Sequence, residues 1–559
     1  MPLHTFATIQ PNLYKDSVAL MRVAQRLLAL PDVVNATLQM GNPANKEILA
    51  EAGLLSDAVK GAGPSDIMVV VQARSAAAGT AAMAEARAQL AGHAGQAGSA
   101  AQHGHGGGAA DDAAHAPIPA HCARMGLAQM EAALSALPPT ARSQPGSAGS
   151  SVGALHTHIA QISVPGAYAG AEALKALQLG LNVFLFSDNV SLDHEVAIKR
   201  EAAKRGLLVM GPDCGTALIG GVPLGFANKV RRGGIGVVAA SGTGAQEFST
   251  QVHRMGGGIS HIIGTGGRDV CAEVGGASML QGIALLARDA ATTVIALISK
   301  PPAEGVAQQL LAALQAAGKP AVVLFLGSDV RAPRGAKPAV RVVQTLVDAA
   351  AAAMQLARVR PQPAPAYALP RKPRFAKTQK YLRALYSGGT YAAEAQLLWA
   401  RAGLRVWSNA PIKPTMTNLP IQPTLELPNP RQASREHTAL DLGDDAFTVG
   451  RPHPMIDQAA RIDRLAQEAA DPSVRVIVLD VVIGWGAHAD PAAELAPAIV
   501  HARRSAAQAG RHLAVIGFVC GTELDPQRLA AQEATLRAAG MVLAGNSANA
   551  AWLAGEWVK

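Results

Sequence analysis

From residue 155 onward, short runs of β-branched and apolar residues alternate with amphipathic stretches, and this alternation restricts the fold more than any other feature. The runs are HTHIAQISVP (156–165), NVFLFS (182–187), LLVMG (207–211), GIGVVAAS (234–241), HIIGTG (261–266), TVIALIS (293–299) and AVVLFLG (321–327). Segments with helical spacing, such as AGAEALKALQLG and EVAIKREAAKRG, lie between them. Buried strands joined by helices build βαβ units and parallel sheets. Right-handed crossovers then carry functional loops to the carboxyl ends of the strands. The expected fold class is α/β, with several Rossmann- or flavodoxin-like parallel-sheet domains.

At roughly 150 residues per domain, 559 residues suggest three or four domains. A break at RRGG (231–234) separates a Rossmann-type domain at 122–233 from a flavodoxin-type domain at 234–355. A third α/β domain covers 381–559, with strands expected at LRVWS (404–408), TALDLG (438–443), VRVIVLDVVIG (474–484), HLAVIGFV (512–519) and MVLAG (541–545). Within it, the proline-rich stretch 409–436 reads as a long surface loop. Residues 1–90 form a small α/β unit, with a helix in 12–31 and strands at VVNATLQMG (33–41) and DIMVVVQAR (66–74). Residues 91–121 are Gly-, Ala- and His-rich with no apolar face, and read as a flexible insert. Its histidines (93, 103, 105, 115 and 121) lack fixed second-shell partners, so no metal site is assigned. Residues 356–380 read as a basic, proline-rich linker.

Several function classes fall away. The four cysteines (122, 214, 271 and 520) form no CxxC pair, which suits a reduced, cytoplasmic protein. Cys214 reads as a small buried hydrophobe. The first residues lack a secretory pattern, and no apolar run reaches the length of a membrane span. Six of the Lys and Arg residues behind the net charge of +9 sit in 370–386 without an acid, leaving +3 elsewhere. This reads as a basic linker, and no nucleic-acid motif accompanies it.

Three glycine-rich turns join a strand to a helix: Ser241-Gly242-Thr243-Gly244, Ser387-Gly388-Gly389-Thr390 and Gly484-Trp485-Gly486. Unpaired N–H groups and the positive end of the helix dipole suit an anion at such a junction, although glycine also serves turn geometry alone. No Walker A loop and no GxGxxG fingerprint occur. The Ser241 and Gly484 turns are expected to converge on one oxyanion pocket. Arg268 in GTGGRDV could clamp a carboxylate or phosphate beside Gly266 and Gly267, or pair with Asp269 or Glu273. Lys300, at a strand end, could neutralise phosphate or remain solvated. In GRPHPMID, two prolines frame His453; Arg451 and His453 could reach an anionic substrate, or the turn could be a rigid element capped by Asp457.

Taken together, KDSVALM, MGNPANKEIL, FSDNVSLDHE, GLLVMGPDCGT, ASGTGAQE, GGRD, EVGG, SKPPAE, LDLGDDAFTVGRPHPMID and LDVVIGWGAHADPA resemble the FdrA family, a relative of the succinyl-CoA synthetase superfamily. The resemblance implies a succinyl-CoA synthetase-type architecture without an ATP-grasp domain, with 122–233 CoA-binding-like, 234–355 like the ligase α subunit and 381–559 like the carboxyl-terminal part of the β subunit. It implies a phosphate cradle at Ser241–Gly244 and Gly484–Gly486, with Lys300 in place of a ligase acid. The segment VVLFLGSDVRAPRGAKPAV, where the ligases carry a phosphorylated histidine, contains none. The function implied is that of an oxamate carbamoyltransferase subunit in purine (allantoin) breakdown. Lys300 and Arg268 would act on carbamoyl phosphate, Arg451 and His453 on oxamate, in an oligomer with two partner proteins. An acyl-CoA ligase-like enzyme and a non-catalytic CoA-binding scaffold are the alternatives, and CoA is left open as a cofactor.

Overall fold

The computed structural model describes residues 3–11, 17–41, 45–46, 49–50, 52–63, 66–92, 158–333, 335, 337–362, 367, 370–412, 424–448 and 451–559. They fall in two compact units, which are described separately. The insert at 91–121, apart from its first two residues, and its histidines lie outside the described residues.

The first unit runs β1 (His4–Gln10), α1 (Ser17–Leu28), β2 (Val33–Met40), α2 (Asp57–Lys60), β3 (Ile67–Ala73) and α3 (Ala76–Gly92). Its sheet is antiparallel in the order β1-β3-β2. The central strand, IMVVVQA, is apolar on both faces because both are covered. Ile67, Val69 and Val71 meet Leu20, Val23 and Leu27 of α1 and Ala82 and Ala86 of α3. Met68 and Val70 point the other way, onto Leu49, Leu54 and Val59. This period-two division is what a strand enclosed on two sides requires.

The second unit contains three sheets. The first is parallel, ordered β4-β5-β6, with β4 (Ile159–Ile162), α4 (Gly166–Gln178), β5 (Asn182–Leu185), α5 (Leu192–Arg205) and β6 (Val209–Met210). Next come β7 (Thr216–Ile219), β8 (Val222–Gly225), β9 (Arg232–Ala239), α6 (Gly242–Arg254), β10 (Ile259–Gly264), α7 (Ala277–Arg288), β11 (Val294–Ser299), α8 (Glu304–Ala316), β12 (Ala321–Phe325), β13 (Val340–Val342) and α9 (Leu346–Leu356). Their sheet is ordered β13-β12-β11-β9-β10-β7-β8, parallel except for the β7–β8 hairpin at one edge. That hairpin precedes residue 233, so this sheet starts before the boundary expected at 233/234. The third sheet is parallel throughout, in the order β16-β15-β17-β14-β18-β19-β20. Its elements are β14 (Tyr381–Tyr386), α10 (Gly389–Arg401), β15 (Val406–Ser408), β16 (Leu425–Glu426), β17 (His437–Asp441), α11 (Asp445–Thr448), α12 (Ala459–Ala470), β18 (Val474–Val482), α13 (Pro491–Gln508), β19 (Ala514–Cys520), α14 (Leu529–Ala538), β20 (Val542–Leu543) and α15 (Ser547–Val558). β16 falls inside 409–436, so part of the expected loop pairs as an edge strand. No helix among the described residues is long and apolar enough to cross a membrane.

Helix α6 joins the second and third sheets. Ten of its residues, Thr243 through Val252, are buried, including six polar ones. Burial on all sides needs partners for the polar side chains. Gln251 donates to the Gly545 carbonyl at 3.0 Å, and Gln246 donates to Asn228 at 3.2 Å. Asn228 in turn donates to Ile483 O, just beyond β18, and to Asp525, in the loop before α14.

Candidate functional site

In an open parallel sheet the strand order reverses at one point, and the carboxyl ends there leave a crevice. In the second sheet the reversal is at β9, between β10 and β11; in the third it is at β14, between β17 and β18. The helices leaving these two strands are α6 and α10. Their amino ends touch: the Ser241 and Thr390 hydroxyls are hydrogen-bonded, and a Cβ on Gly388 would overlap Thr243. Ser241 also caps α6, its oxygen accepting from Gly244 N at 3.0 Å. Two positive dipole ends therefore meet at one place, each with free amides in its first turn. The direct partner of the Ser241 turn is thus the Ser387–Thr390 turn, rather than the expected Gly484–Gly486 turn.

Strand register sets what surrounds the junction. Ile298 is level with Ala239, so Lys300 emerges level with Ser241. Asp441 is level with Tyr386, one residue before Ser387. Lys300 Nζ and Asp441 Oδ2 stand 3.2 and 2.5 Å from where a Cβ on Gly389 would be. Burial pushes Asp441 up to about 6; the Lys300 charge opposes that shift, and Asp444 adds to it. Ser387 is fixed from beneath: its N–H and hydroxyl both donate to Asp480, which pairs with Arg461 at 3.1 Å. His453 completes this wall. Its Nε2 lies 2.7 Å, and Ser387 O 2.8 Å, from the Cβ position of Gly443. Phe226 covers the ring at a centroid distance of 5.6 Å.

The other expected residues are placed as follows. Gly484, Trp485 and Gly486 pack along Phe226–Asn228, with an antiparallel bridge between Trp485 and Ala227. Gly484 and Gly486 have φ of 123° and 79°, which favour glycine, so this turn has a conformational reason for its composition. Trp485 is 47% exposed. Arg268 pairs with Glu195 at 3.0 Å and donates to Val190 O at 2.7 Å, not with Asp269 or Glu273. Asp269 is instead held by Lys199 at 2.8 Å and by the amides of Ser278 and Met279. Gly266 presses on Pro212, while Gly267 faces open space. Arg451 is exposed, with its backbone N–H on Thr448 O. Cys214 is buried, and desolvation pushes its thiol up to about 12.

Asp441, Asp213 and Phe226 were not singled out from the sequence. Asp213 follows Pro212 at the end of β6, with φ of 54°. The surrounding protein, with Asp188 and Asp445 adding to it, pushes its carboxyl up to about 6, although solvent reaches it; Arg268 and Lys300 oppose. The available signal was position: Asp441 and Asp213 both follow apolar runs at strand ends, where a parallel sheet collects its chemistry.

The CoA-ligase family matches residues 385–556, and the CoA-binding domain family matches 231–327. The latter falls on the second sheet rather than on 122–233. The chain is 39% identical over 561 residues to YahF, an uncharacterized protein of Escherichia coli (strain K12), covering 98% of each chain. The chain belongs to the YahF family. A further relative is the ADP-forming sulfoacetate-CoA ligase subunit SauD of Bilophila wadsworthia (strain 3_1_6), 26% identical over 119 residues, which span 20% of this chain and 41% of that protein. Among solved structures, the apo dinucleotide-forming acetyl-coenzyme A synthetase 1 of Ca. Korarchaeum cryptofilum is 15% identical, with a TM-score of 0.30 over 72% of this chain and 82% of that one. The YahF-family chain thus carries CoA-ligase and CoA-binding domain types.

Residues 1–105 match the AllF heavy metal-associated domain. That segment contains no cysteine, so it lacks the thiolates that soft metals prefer. No cluster of three or more metal-ligating side chains occurs among the described residues. In a Rossmann-type sheet the first turn of the helix after the first strand, here α4, receives a pyrophosphate. The cap is Pro165, which has no N–H, and Gly166 abuts the Asp188 and Asn189 carbonyls. A pyrophosphate there would meet carbonyl oxygens, so this junction does not fit CoA.

Proposed function

We propose that this chain transfers an acyl group from or to phosphate, in the manner of a CoA ligase, with the phosphate at the meeting point of α6 and α10. The reading rests on one observation: helices from two reversal points end against each other, with Lys300 and Asp441 at their rim. Amides of Gly242, Thr243 and Gly389 would receive the phosphate oxygens, and Lys300 would balance their charge. The acceptor's nucleophile would attack the carbonyl carbon, and the bond from that carbon to the phosphate oxygen would break. The acceptor's proton would pass to Asp441, and phosphate would leave between the helix ends. The CoA-ligase and CoA-binding matches favour a thiol acceptor.

Transfer from carbamoyl phosphate to oxamate is a second reading of the same cleft, favoured by the lack of any histidine in VVLFLGSDVRAPRGAKPAV, where a ligase would carry phosphate. Carbamoyl phosphate is itself an acyl phosphate, so one experiment separates the two. Calorimetry with acetyl phosphate and carbamoyl phosphate should show binding that weakens about tenfold in Lys300→Met. Turnover of acetyl phosphate with CoA supports the first reading, and turnover of carbamoyl phosphate with oxamate supports the second. Unchanged affinity in a well-folded Lys300→Met would remove Lys300 from the site, and no binding by the unmodified protein would end both readings.

A further inference from the structure

His453 is held by backbone rather than by another side chain. Its Nδ1 accepts the Met455 N–H at 3.2 Å. A nitrogen that accepts a hydrogen bond carries no proton, so a neutral ring must carry its proton on Nε2. Ile456 N and Asp457 N both donate to the His453 carbonyl, at 2.8 and 3.2 Å, and Pro452 and Pro454 flank the residue. The tautomer is thereby written into the turn. Nε2 and the Ser387 carbonyl oxygen both border the Cβ position of Gly443, beside the amino end of α10, and the residue is half-buried.

We propose that His453 is a fixed, neutral Nε2–H donor to the carbonyl oxygen of the bound acyl phosphate, and neither a cation nor a nucleophile. The proposal rests on the acyl-phosphate reading above and adds to it the group that recognises the acyl end. Two features keep the ring uncharged. Packing around it, with Arg461 adding its positive charge, pushes its pKa down to about 4. The Met455 N–H held by Nδ1 leaves that nitrogen no room for a second proton, and Asp441, beside the same Gly443 position, has its Oδ1 engaged by Gly443 N at 3.0 Å. A neutral donor discriminates by geometry: it meets a carbonyl oxygen and strengthens as that oxygen gains negative charge during attack. It adds no net charge that would hold a free carboxylate. With Nε2 protonated and the Nδ1 lone pair engaged, the ring has no electron pair free to take up phosphate.

Long-range proton–nitrogen NMR on histidine-labelled full-length protein, assigned by difference with His453→Gln, reads the tautomer without any ligand. The Nε2–H form should persist unchanged from pH 5.5 to 8. An Nδ1–H form, or titration in that range, overturns the proposal. In calorimetry and turnover with acetyl phosphate and carbamoyl phosphate, His453→Gln keeps an amide donor and should stay within a few-fold of the parent. His453→Leu should lose about 100-fold in kcat with a smaller change in KM. Equal losses in both variants, or phosphate found on His453 by mass spectrometry, would also overturn it. If the parent binds neither acyl phosphate, the acyl-phosphate reading fails and the carbonyl assignment falls with it, whatever tautomer is seen.

Discussion

Asp441 shows how one side chain can register both folding and ligand. Its folded-state pKa of about 6 lies above the ordinary 3.8 because it is buried. Between about pH 6 and pH 4 the folded chain therefore holds a proton that the unfolded chain has released. Stability rises as pH falls through that window, and above it the full cost of a buried charge is present. Asp441→Asn should raise the free energy of unfolding at pH 7.5 by on the order of 2–3 kcal/mol. The gain should vanish near pH 4, as denaturant melts at the two pH values will show. The same variant should bind inorganic phosphate more tightly at pH 7.5, since a negative charge leaves the mouth of α10, but should lose transfer if Asp441 takes the acceptor's proton.

The contact between α6 and α10 depends on a residue without a side chain. Gly388 has an extended φ of −159° that any residue adopts, so its role is steric: a Cβ there would overlap Thr243. Gly388→Ala should destabilise the protein by about 1–3 kcal/mol and weaken phosphate binding. Gly267→Ala, which meets nothing within 4 Å, should leave both unchanged in melts and calorimetry. The strands around this contact were legible because each alternates with a helix and is nearly all apolar. The β7–β8 hairpin was passed over, although Gly220 and Gly221, both with positive φ (60° and 88°), carry the signature of a two-residue turn. The pairing of helix ends could not be read in the same way. Three glycine turns looked equivalent in sequence, and which two meet depends on how two sheets pack, which local residue types do not encode.

Among the three sheets of the second unit, the small β4-β5-β6 sheet is joined to its neighbour through a buried charge group. Lys199 of α5 pairs with Glu195 on its own helix and with Asp269 beyond β10, each at 2.8 Å, and donates to Thr265 O at 3.1 Å. All three charged side chains are almost completely excluded from solvent. Removing the cation leaves Asp269 with only the Ser278 and Met279 amides and Glu195 with only Arg268, at about 3–5 kcal/mol. Lys199→Met should therefore lower the melting temperature by several degrees and expose 158–210 to limited proteolysis. Adding Asp269→Asn should recover part of the loss. An unchanged melting temperature in Lys199→Met would show that the group contributes no net stability.

Both halves of the cleft are carried on one polypeptide, since α6 and α10 belong to a single compact unit. Their encounter is intramolecular, with an effective concentration set by the intervening chain. Dilution cannot pull the Ser241 and Thr390 hydroxyls apart, so affinity for inorganic phosphate should hold constant from micromolar protein to nanomolar.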